Sequence, residues 1–208
     1  MTAHATDPRP VRRVSAVTAS GASSKDDFDP VVVEAPLSIS VGGEILATTM
    51  RTPGHDEDLA VGWLASETDL SARTDVMTTK REGAAASRSQ GIEEAVDTVH
   101  LQVASSVEIP KARAYLTSSS CGICSVEVIE ATPRPRVALQ SVGWQLTPQK
   151  AHEWVAAMRE EQKMFALTGS LHAAAIIAPS GSLRVVREDV GRHNAVDKVI
   201  GSAFLNRE

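Results

Sequence analysis

The two cysteines of this chain, Cys121 and Cys124, limit the kinds of fold that it can adopt. They stand at C-x-x-C spacing, too close to cross-link distant parts of the chain, so a secreted disulfide scaffold is excluded. A chain of 208 residues, of which 42% are hydrophobic, must therefore fold around an apolar core. Aromatic residues make up only 3% of it, so we expect aliphatic side chains and alanine to form that core.

The net charge and the first residues of the chain limit the partners and the cellular location that we expect. A net charge of −5 argues against nucleic acid as a partner, because proteins that bind nucleic acid typically carry a broad basic surface. No apolar run reaches the length of about 18 residues that a membrane-spanning helix needs. The N-terminal residues lack the apolar region of a secretory signal. We therefore expect a cytoplasmic protein with neither nucleic acid nor a membrane as partner.

The first half of the chain predicts a β-rich domain. Residues 1–28 are polar and turn-rich without periodicity, which predicts a disordered tail. Acidic residues ahead of Leu59 predict the start of an amphipathic helix that packs on a sheet. We expect an N-terminal β-rich domain with this one helix over residues 29–110. Its predicted strands cover residues 31–34, 37–41, 45–50 and 96–103, with Gly42 and Gly43 as a tight turn.

The second half, residues 111–208, predicts alternating strands and helices. A short strand over residues 113–116 leads into the cysteine turn. Thr147 and Pro148 are typical of a helix N-cap and first turn, and the apolar spacing that follows predicts a core-facing helix of about five turns. Strands are predicted over residues 171–178 and 183–187, and a last helix follows them. The fold class is therefore mixed α/β (α+β).

The cysteine pair by itself allows disulfide exchange, half of a metal site, or carriage of a transferable sulfur. A thioredoxin-like protein would place the pair near the start of a βαβ unit, whereas here it follows three serines in a β-rich stretch. A structural zinc site needs two more ligands. His172 and His193 are candidates, but their spacing from the pair matches no short zinc signature. The residues leave these three alternatives open.

Residues 187–198 form a second polar segment of interest. It contains two arginines, a histidine, an asparagine, acids and a lysine around Gly191, just before the last helix. It is either a solvated connection or a phosphate site formed by Arg192 and the amides near Asn194. His172 presents a similar choice, because it opens an apolar run and is either a core residue or a functional one.

Four sequence phrases together resemble one family, the formate dehydrogenase accessory sulfurtransferases (FdhD). They are C-G-I-C at residues 121–124, T-G-x-L-H-A-A at 168–174, R-E-D-V-G-R-H-N-A-V-D-K-V-I-G at 187–201, and R-T-P-G followed by D-L-A-V-G-W-L at 58–64. The resemblance extends over residues 30–201.

The resemblance implies a sulfur carrier. A cysteine desulfurase would load a persulfide onto Cys121, with Cys124 as a second thiol. The sulfur would pass to the molybdenum of a bis-molybdopterin guanine dinucleotide cofactor, a bound substrate, before that cofactor enters formate dehydrogenase. The protein itself would hold no metal. We predict that basic and polar residues of the second half contact this anionic cofactor: His172, Arg187, Arg192, His193, Asn194 and Lys198.

The same resemblance implies a cytidine-deaminase-like α/β sandwich over residues 111–208, without the zinc of that fold, and a homodimer. Family members continue past the last helix through further strands, so we expect this domain to be incomplete at its C-terminus. Two other functions are weighed beside sulfur transfer. One is a non-catalytic chaperone that binds the molybdenum cofactor or the apoenzyme, and the other is a C-x-x-C redox or zinc protein.

Overall fold

The structure, a computed structural model, describes residues 5–14, 24–68, 70, 75–83, 96–109, 116–117 and 145–206. Its strands are β1 (Thr6–Val14), β2 (Ser24–Val32), β3 (Ala35–Val41), β4 (Glu44–Arg51), β5 (Val76–Glu82), β6 (Asp97–Val103), β7 (Leu116–Thr117), β8 (His172–Ile177) and β9 (Leu183–Asp189). The helices of the described residues are α1 (Asp56–Glu67), α2 (Pro148–Glu161), α3 (Lys163–Thr168) and α4 (Arg192–Asn206). The mixed α/β class is confirmed.

A sheet in the order β5-β6-β3-β4-β7 forms the centre of the first half. Strands β3 and β4 are an antiparallel hairpin, turned by Gly42 and Gly43 at φ values of 60° and 92° that glycine adopts without strain. Strand β6 runs parallel to β3. Leu37, Ile39 and Val99 are fully buried against α1. Ser38 and Ser40, the alternate residues of β3, are buried as well, so this strand is enclosed on both faces.

The region predicted to be a disordered tail differs in the structure. Strands β1 and β2 pair in an antiparallel hairpin, from Thr6 opposite Val32 to Val14 opposite Ser24. The backbone N–H of Val33 donates to the carbonyl of Ala5 at 2.9 Å, which continues the pairing. The polar residues of this region are thus ordered by main-chain hydrogen bonds to a later strand, an interaction that composition does not reveal.

The helix predicted after Thr147 begins as expected but does not face the core. The Thr147 side chain caps it by accepting a hydrogen bond from the Lys150 N–H at 3.2 Å. No residue of α2 is buried, and Val155 is 60% exposed. The helix also ends earlier than predicted, because the Glu188 carboxylate accepts from two backbone N–H groups at the start of α3. None of the described helices is long and apolar enough to span a membrane.

Helices α1 and α4 join the two halves of the chain. Helix α4 packs on the β8–β9 hairpin and lies along α1. Their backbones touch where Gly62 faces Gly201: a Cβ atom at Gly201 would lie 2.7 Å from the Gly62 nitrogen. A Cβ atom at Gly62 would lie 2.5 Å from the Asp197 carbonyl carbon. Neither position has room for a side chain.

We predict that Gly201→Ala or Gly62→Ala lowers the free energy of unfolding by about 2–3 kcal/mol, because the added methyl group must push the two helices apart. Urea unfolding measures this. Gly83→Ala is the control, since its Cβ atom would meet only the Asp97 carboxylate, at an ordinary 3.7 Å. An equal effect at all three glycines would contradict close packing of α1 on α4.

Asp197 lies at the same contact between α1 and α4. Burial raises the pKa of Asp197 to about 6, although the Ser66 hydroxyl donates to its carboxylate at 3.0 Å. Between roughly pH 4 and pH 6 the folded chain therefore binds more protons at this site than the unfolded chain, so stability falls as pH rises through that window.

Asp197→Asn keeps the acceptor for Ser66 and removes the ionisation. We expect the variant to raise the melting temperature by a few degrees at about pH 7.5 and to match the parent near pH 4. Calorimetry across the pH range measures the difference. A difference that does not change with pH would contradict the raised pKa.

Candidate functional site

A buried carboxylate, Asp189, lies at the end of β9 and is fully enclosed. It accepts hydrogen bonds from the backbone N–H groups of Thr52 at 3.1 Å and Gly191 at 2.8 Å. It also accepts from the Asn194 side-chain amide at 3.1 Å and pairs with the Lys198 ammonium at 2.7 Å. Its charge is therefore compensated by four neighbours, as a buried carboxylate requires.

The partner cation, Lys198, is equally enclosed, with 1% of its surface exposed. Besides Asp189, its ammonium donates to the carbonyl oxygens of Thr52 at 2.9 Å and Glu188 at 3.4 Å. Burial lowers the pKa of Lys198, and the Asp189 carboxylate opposes that change. Each of the three ammonium hydrogens thus has an acceptor inside the protein.

These contacts anchor the segment at residues 50–52 to the connection between β9 and α4. The Val190 N–H donates to the Thr52 hydroxyl at 3.0 Å. The Asn194 amide donates to the Met50 carbonyl at 2.8 Å. The polar phrase at residues 187–198 therefore forms hydrogen bonds with a segment that lies more than a hundred positions earlier in the chain.

A second buried cluster fixes the other side of this segment. Arg51 is fully buried and forms two hydrogen bonds of 3.0 Å with Asp56 and one of 2.7 Å with Asp97. Arg81 contacts the same two carboxylates, at 2.8 Å and 3.2 Å. Burial alone would raise the pKa of Asp56, but hydrogen bonds and charge from the two guanidinium groups lower it. The start of α1 is thus locked to β4, β5 and β6.

Between the two clusters, His55 adopts a left-handed backbone conformation (φ 54°, ψ 37°), which is unusual for a residue other than glycine. Its Nδ1 lies 3.5 Å from the Asp58 carboxylate, which also accepts from the Arg187 Nε at 2.9 Å. Burial and the nearby positive charge of Arg187 lower the pKa of His55.

A cavity of about 550 Å³ opens beside this segment. Residues 52–55 form one wall, the start of α3 with Lys163 and Met164 forms a second, and residues 183–188 of β9 form the third. Ala5 also lines it. Its volume is within the range of small-ligand pockets, and it is the candidate functional site of the described residues.

Three of the predicted cofactor contacts meet beside this cavity, yet their polar groups are bonded to the protein. Lys198 and Asn194 hold the buried network. Arg187 donates to Asp58 and, through another nitrogen, to the Ser202 hydroxyl at 2.9 Å. The structure therefore gives these residues a framework role, and their contact with a cofactor stays a prediction.

The other predicted residues lie elsewhere. Arg192 is exposed and His193 half-buried on the first turn of α4, and neither lines the cavity. His172 is exposed at the start of β8, opposite Asp189 in the strand register. Cys121 and Cys124 lie outside the described residues, in the stretch between β7 and α2. The described residues contain no group of three or more metal-ligating side chains.

Several residues that shape the site were missed by sequence reasoning. They are Thr52, His55, Lys163, Arg184 and Asp189. The R-T-P-G phrase points to the right segment, but it does not single out His55, which follows it as the N-cap residue of α1 and makes no side-chain cap hydrogen bond. In the sequence, Asp189 is only one of several acidic residues in the polar phrase at residues 187–198.

The chain is similar in sequence to members of one protein family. A profile of the FdhD/NarQ family matches residues 32–208. The "Sulfur carrier protein FdhD" of Mycolicibacterium paratuberculosis is 39% identical over 198 residues, which cover 93% of this chain and 71% of the relative. That of Streptomyces coelicolor is 39% identical over 186 residues, covering 86% of this chain and 64% of the relative.

A solved structure shares the fold. It is the crystal structure of a formate dehydrogenase accessory protein from Desulfotalea psychrophila, with a TM-score of 0.64 and 19% identity. The match covers 97% of this chain and 70% of that one. At this identity the likeness concerns the fold alone.

The framework role of Lys198 gives a prediction. Lys198→Met should lower the free energy of unfolding by about 3–5 kcal/mol, because it leaves the Asp189 carboxylate buried without a cation. Arg192→Ala removes another of the predicted contacts, but an exposed one, and should change stability by less than about 0.5 kcal/mol. Chemical denaturation measures both. Similar small effects for the two variants would contradict a structural role for Lys198.

Proposed function

The chain belongs to the FdhD/NarQ family, and from that premise we propose that it is a sulfur carrier that acts in the maturation of formate dehydrogenase. The observation that carries the proposal is its 39% identity, over nearly all of its length, to a protein named as a sulfur carrier. The C-G-I-C phrase at residues 121–124 supplies the thiols that such a carrier needs.

The carrier chemistry is assigned to Cys121. Its thiolate attacks the terminal sulfur of a persulfide on a cysteine desulfurase, forming a new S–S bond on Cys121 and releasing the cysteine thiolate of the donor. The Cys121 persulfide is more acidic than a thiol and remains anionic and nucleophilic. Cys124, three positions later in the sequence, is the second thiol, and we assign it the role of assisting or protecting the loaded residue.

The acceptor is the molybdenum of bis-molybdopterin guanine dinucleotide, bound as a substrate on its way to formate dehydrogenase. This cofactor is anionic through its pyrophosphates, which favours basic and polar contacts. Among the six predicted contacts, the side chains of Arg192, His193 and His172 reach the surface, whereas Lys198 and Asn194 are buried. We assign the cofactor contacts to the first three, and the framework to Lys198, Asn194 and Arg187, whose guanidinium group is bonded to Asp58 and Ser202.

We propose a homodimer in the cytoplasm, where a cysteine desulfurase supplies sulfur and formate dehydrogenase receives the finished cofactor. The chain spans 71% and 64% of the lengths of the two relatives described above, so these partners are proposed for the activity of the whole family protein.

Sulfur loading tests the proposal directly. Incubation with a cysteine desulfurase and cysteine should add the mass of one sulfur atom to the peptide that contains Cys121, and a thiol reductant should remove it. Mass spectrometry of the intact and digested protein measures this. Cys121→Ala should lose the added sulfur, because no other residue is expected to carry it.

Cys124→Ala is the matched control, since it removes a neighbouring thiol but keeps the carrier thiol, and it should still be loaded. A Cys121→Ala variant that still accepts sulfur and still activates formate dehydrogenase would contradict the proposal. A variant without both thiols that activates the enzyme normally would favour the non-catalytic chaperone.

A further inference from the structure

Helices α2 and α3 form an arm that lies along strand β9. Toward one end of the arm, the indole nitrogen of Trp154 lies 3.5 Å from the position that a Cβ atom would take at Gly181, in the turn between β8 and β9. At the other end, the Glu188 carboxylate accepts hydrogen bonds from the backbone N–H groups of Met164 at 3.0 Å and Phe165 at 2.7 Å. The arm therefore contacts the β8–β9 hairpin near both ends of β9.

The two helices of the arm are also bonded to each other. The guanidinium carbon of Arg159 lies 3.6 Å from the centre of the Phe165 ring, which joins α2 to α3. The Ala166 N–H donates to the carbonyl of Gln162 at 2.9 Å, so the main chain remains hydrogen-bonded next to the break between the helices. Neither contact involves β9, and we therefore expect α2 and α3 to move as one unit.

Little of the arm is buried against the rest of the protein. Of residues 148–168, only Gln162 is buried, at 7% exposure. Helices α1 and α4, by contrast, each contain six buried residues. Regions with few buried contacts open at a lower free energy than the core does. A helix of 14 residues such as α2 is only marginally stable in water once it is detached, so opening of the arm also exposes its amides to exchange.

The connection from the arm to β8 has the properties of a pivot. Gly169 ends α3 in the left-handed conformation (φ 68°, ψ 10°), which glycine adopts without strain. Ser170 is exposed, whereas Leu171 is buried. The chain thus passes from the exposed arm to the core within two residues. A change in the backbone torsion angles of Gly169 and Ser170 would swing the arm and leave β8 in place.

The arm forms one wall of the cavity beside β9. Glu161, Lys163 and Met164 belong to the arm and line the cavity, and Glu188, which holds α3, lies at its border. Another wall, residues 52–55, is fixed by the buried ion pair described above. One side of the cavity therefore belongs to a rigid frame, whereas the other rests on two hydrogen bonds to a single carboxylate.

We propose that the α2–α3 arm is a lid on this cavity, held closed by Glu188 and pivoting at Gly169 and Ser170. Opening breaks the two hydrogen bonds to Glu188 and withdraws one wall, which admits or releases a ligand. Closing restores both bonds. The proposal goes beyond sulfur transfer and does not depend on the chemistry of Cys121.

Native-state hydrogen exchange of the full chain tests the lid. After correction for intrinsic rates, the amides of α2 and α3 should exchange at least roughly tenfold faster than those of α1 and α4. Low concentrations of urea should leave exchange in the arm nearly unchanged, because opening the lid exposes little buried surface. The same concentrations should accelerate exchange in α1 and α4, which requires global unfolding.

Variants of Glu188 test the contact that holds the lid. Glu188→Ala removes both acceptor oxygens and should accelerate exchange in the arm by at least roughly tenfold. Glu188→Gln keeps one acceptor oxygen and should have an intermediate effect. Glu160→Ala is the matched control, because it removes an exposed acid of α2 itself, and it should change exchange in the arm by less than about twofold.

Gly201→Ala distinguishes opening of the lid from global unfolding. It weakens the contact of α4 with α1, which stays intact while the lid is open. Exchange in α1 and α4 should therefore accelerate by roughly tenfold or more, while exchange in the arm stays the same. If this variant does not fold, the urea series on the unmodified protein makes the same distinction.

Three results would overturn the proposal. The first is an opening free energy and a urea dependence that the arm shares with α1 and α4. The second is an equal effect of Glu188→Ala and Glu160→Ala on exchange in the arm. The third is acceleration of exchange in the arm by Gly201→Ala to the same degree as in α4, which would show that the arm opens only with the whole chain.

Discussion

The ion pair between Lys198 and Asp189 is the interaction on which the described structure most depends. Both groups are buried, and together they bond to the backbone of Thr52, at the end of the central sheet. A buried pair of this kind adds little net stability compared with apolar residues, but removing one partner is costly. In the observed placement of β9 and α4 against residues 50–52, each of these donors and acceptors has a partner. The contact of α4 with α1 at Gly62 and Gly201 depends on that placement.

The polar phrase at residues 187–198 has a different role from the one that its composition suggests. A run of arginine, histidine, asparagine and lysine suggested a phosphate site, yet its asparagine and lysine point into the protein and hold another segment. The chemistry of sulfur transfer is proposed for Cys121, while the described residues supply a rigid frame. The same frame forms part of the wall of the cavity beside residues 183–188, because Thr52 and Lys198 both line it.

Sequence reasoning was most successful where local patterns determine the structure. The hairpin at Gly42 and Gly43 and the cap at Thr147 follow from short-range chemistry, and both are present. It failed where a distant partner decides the outcome. Residues 6–14 become a strand because residues 24–32 pair with them, and α2 ends at Glu161 because Glu188 binds the next turn. The inward orientation of Lys198 could not be predicted for the same reason, since its acceptor at Thr52 lies 146 positions earlier.

Native-state hydrogen exchange of the Thr52 amide, which donates to Asp189, tests the central claim most directly. If the buried ion pair holds the two halves together, this amide exchanges only when the whole chain unfolds. The free energy of its opening should then equal that of global unfolding from chemical denaturation. Rapid exchange at Thr52, while the amides of α1 and α4 stay protected, would show that the segment opens independently and would contradict the account.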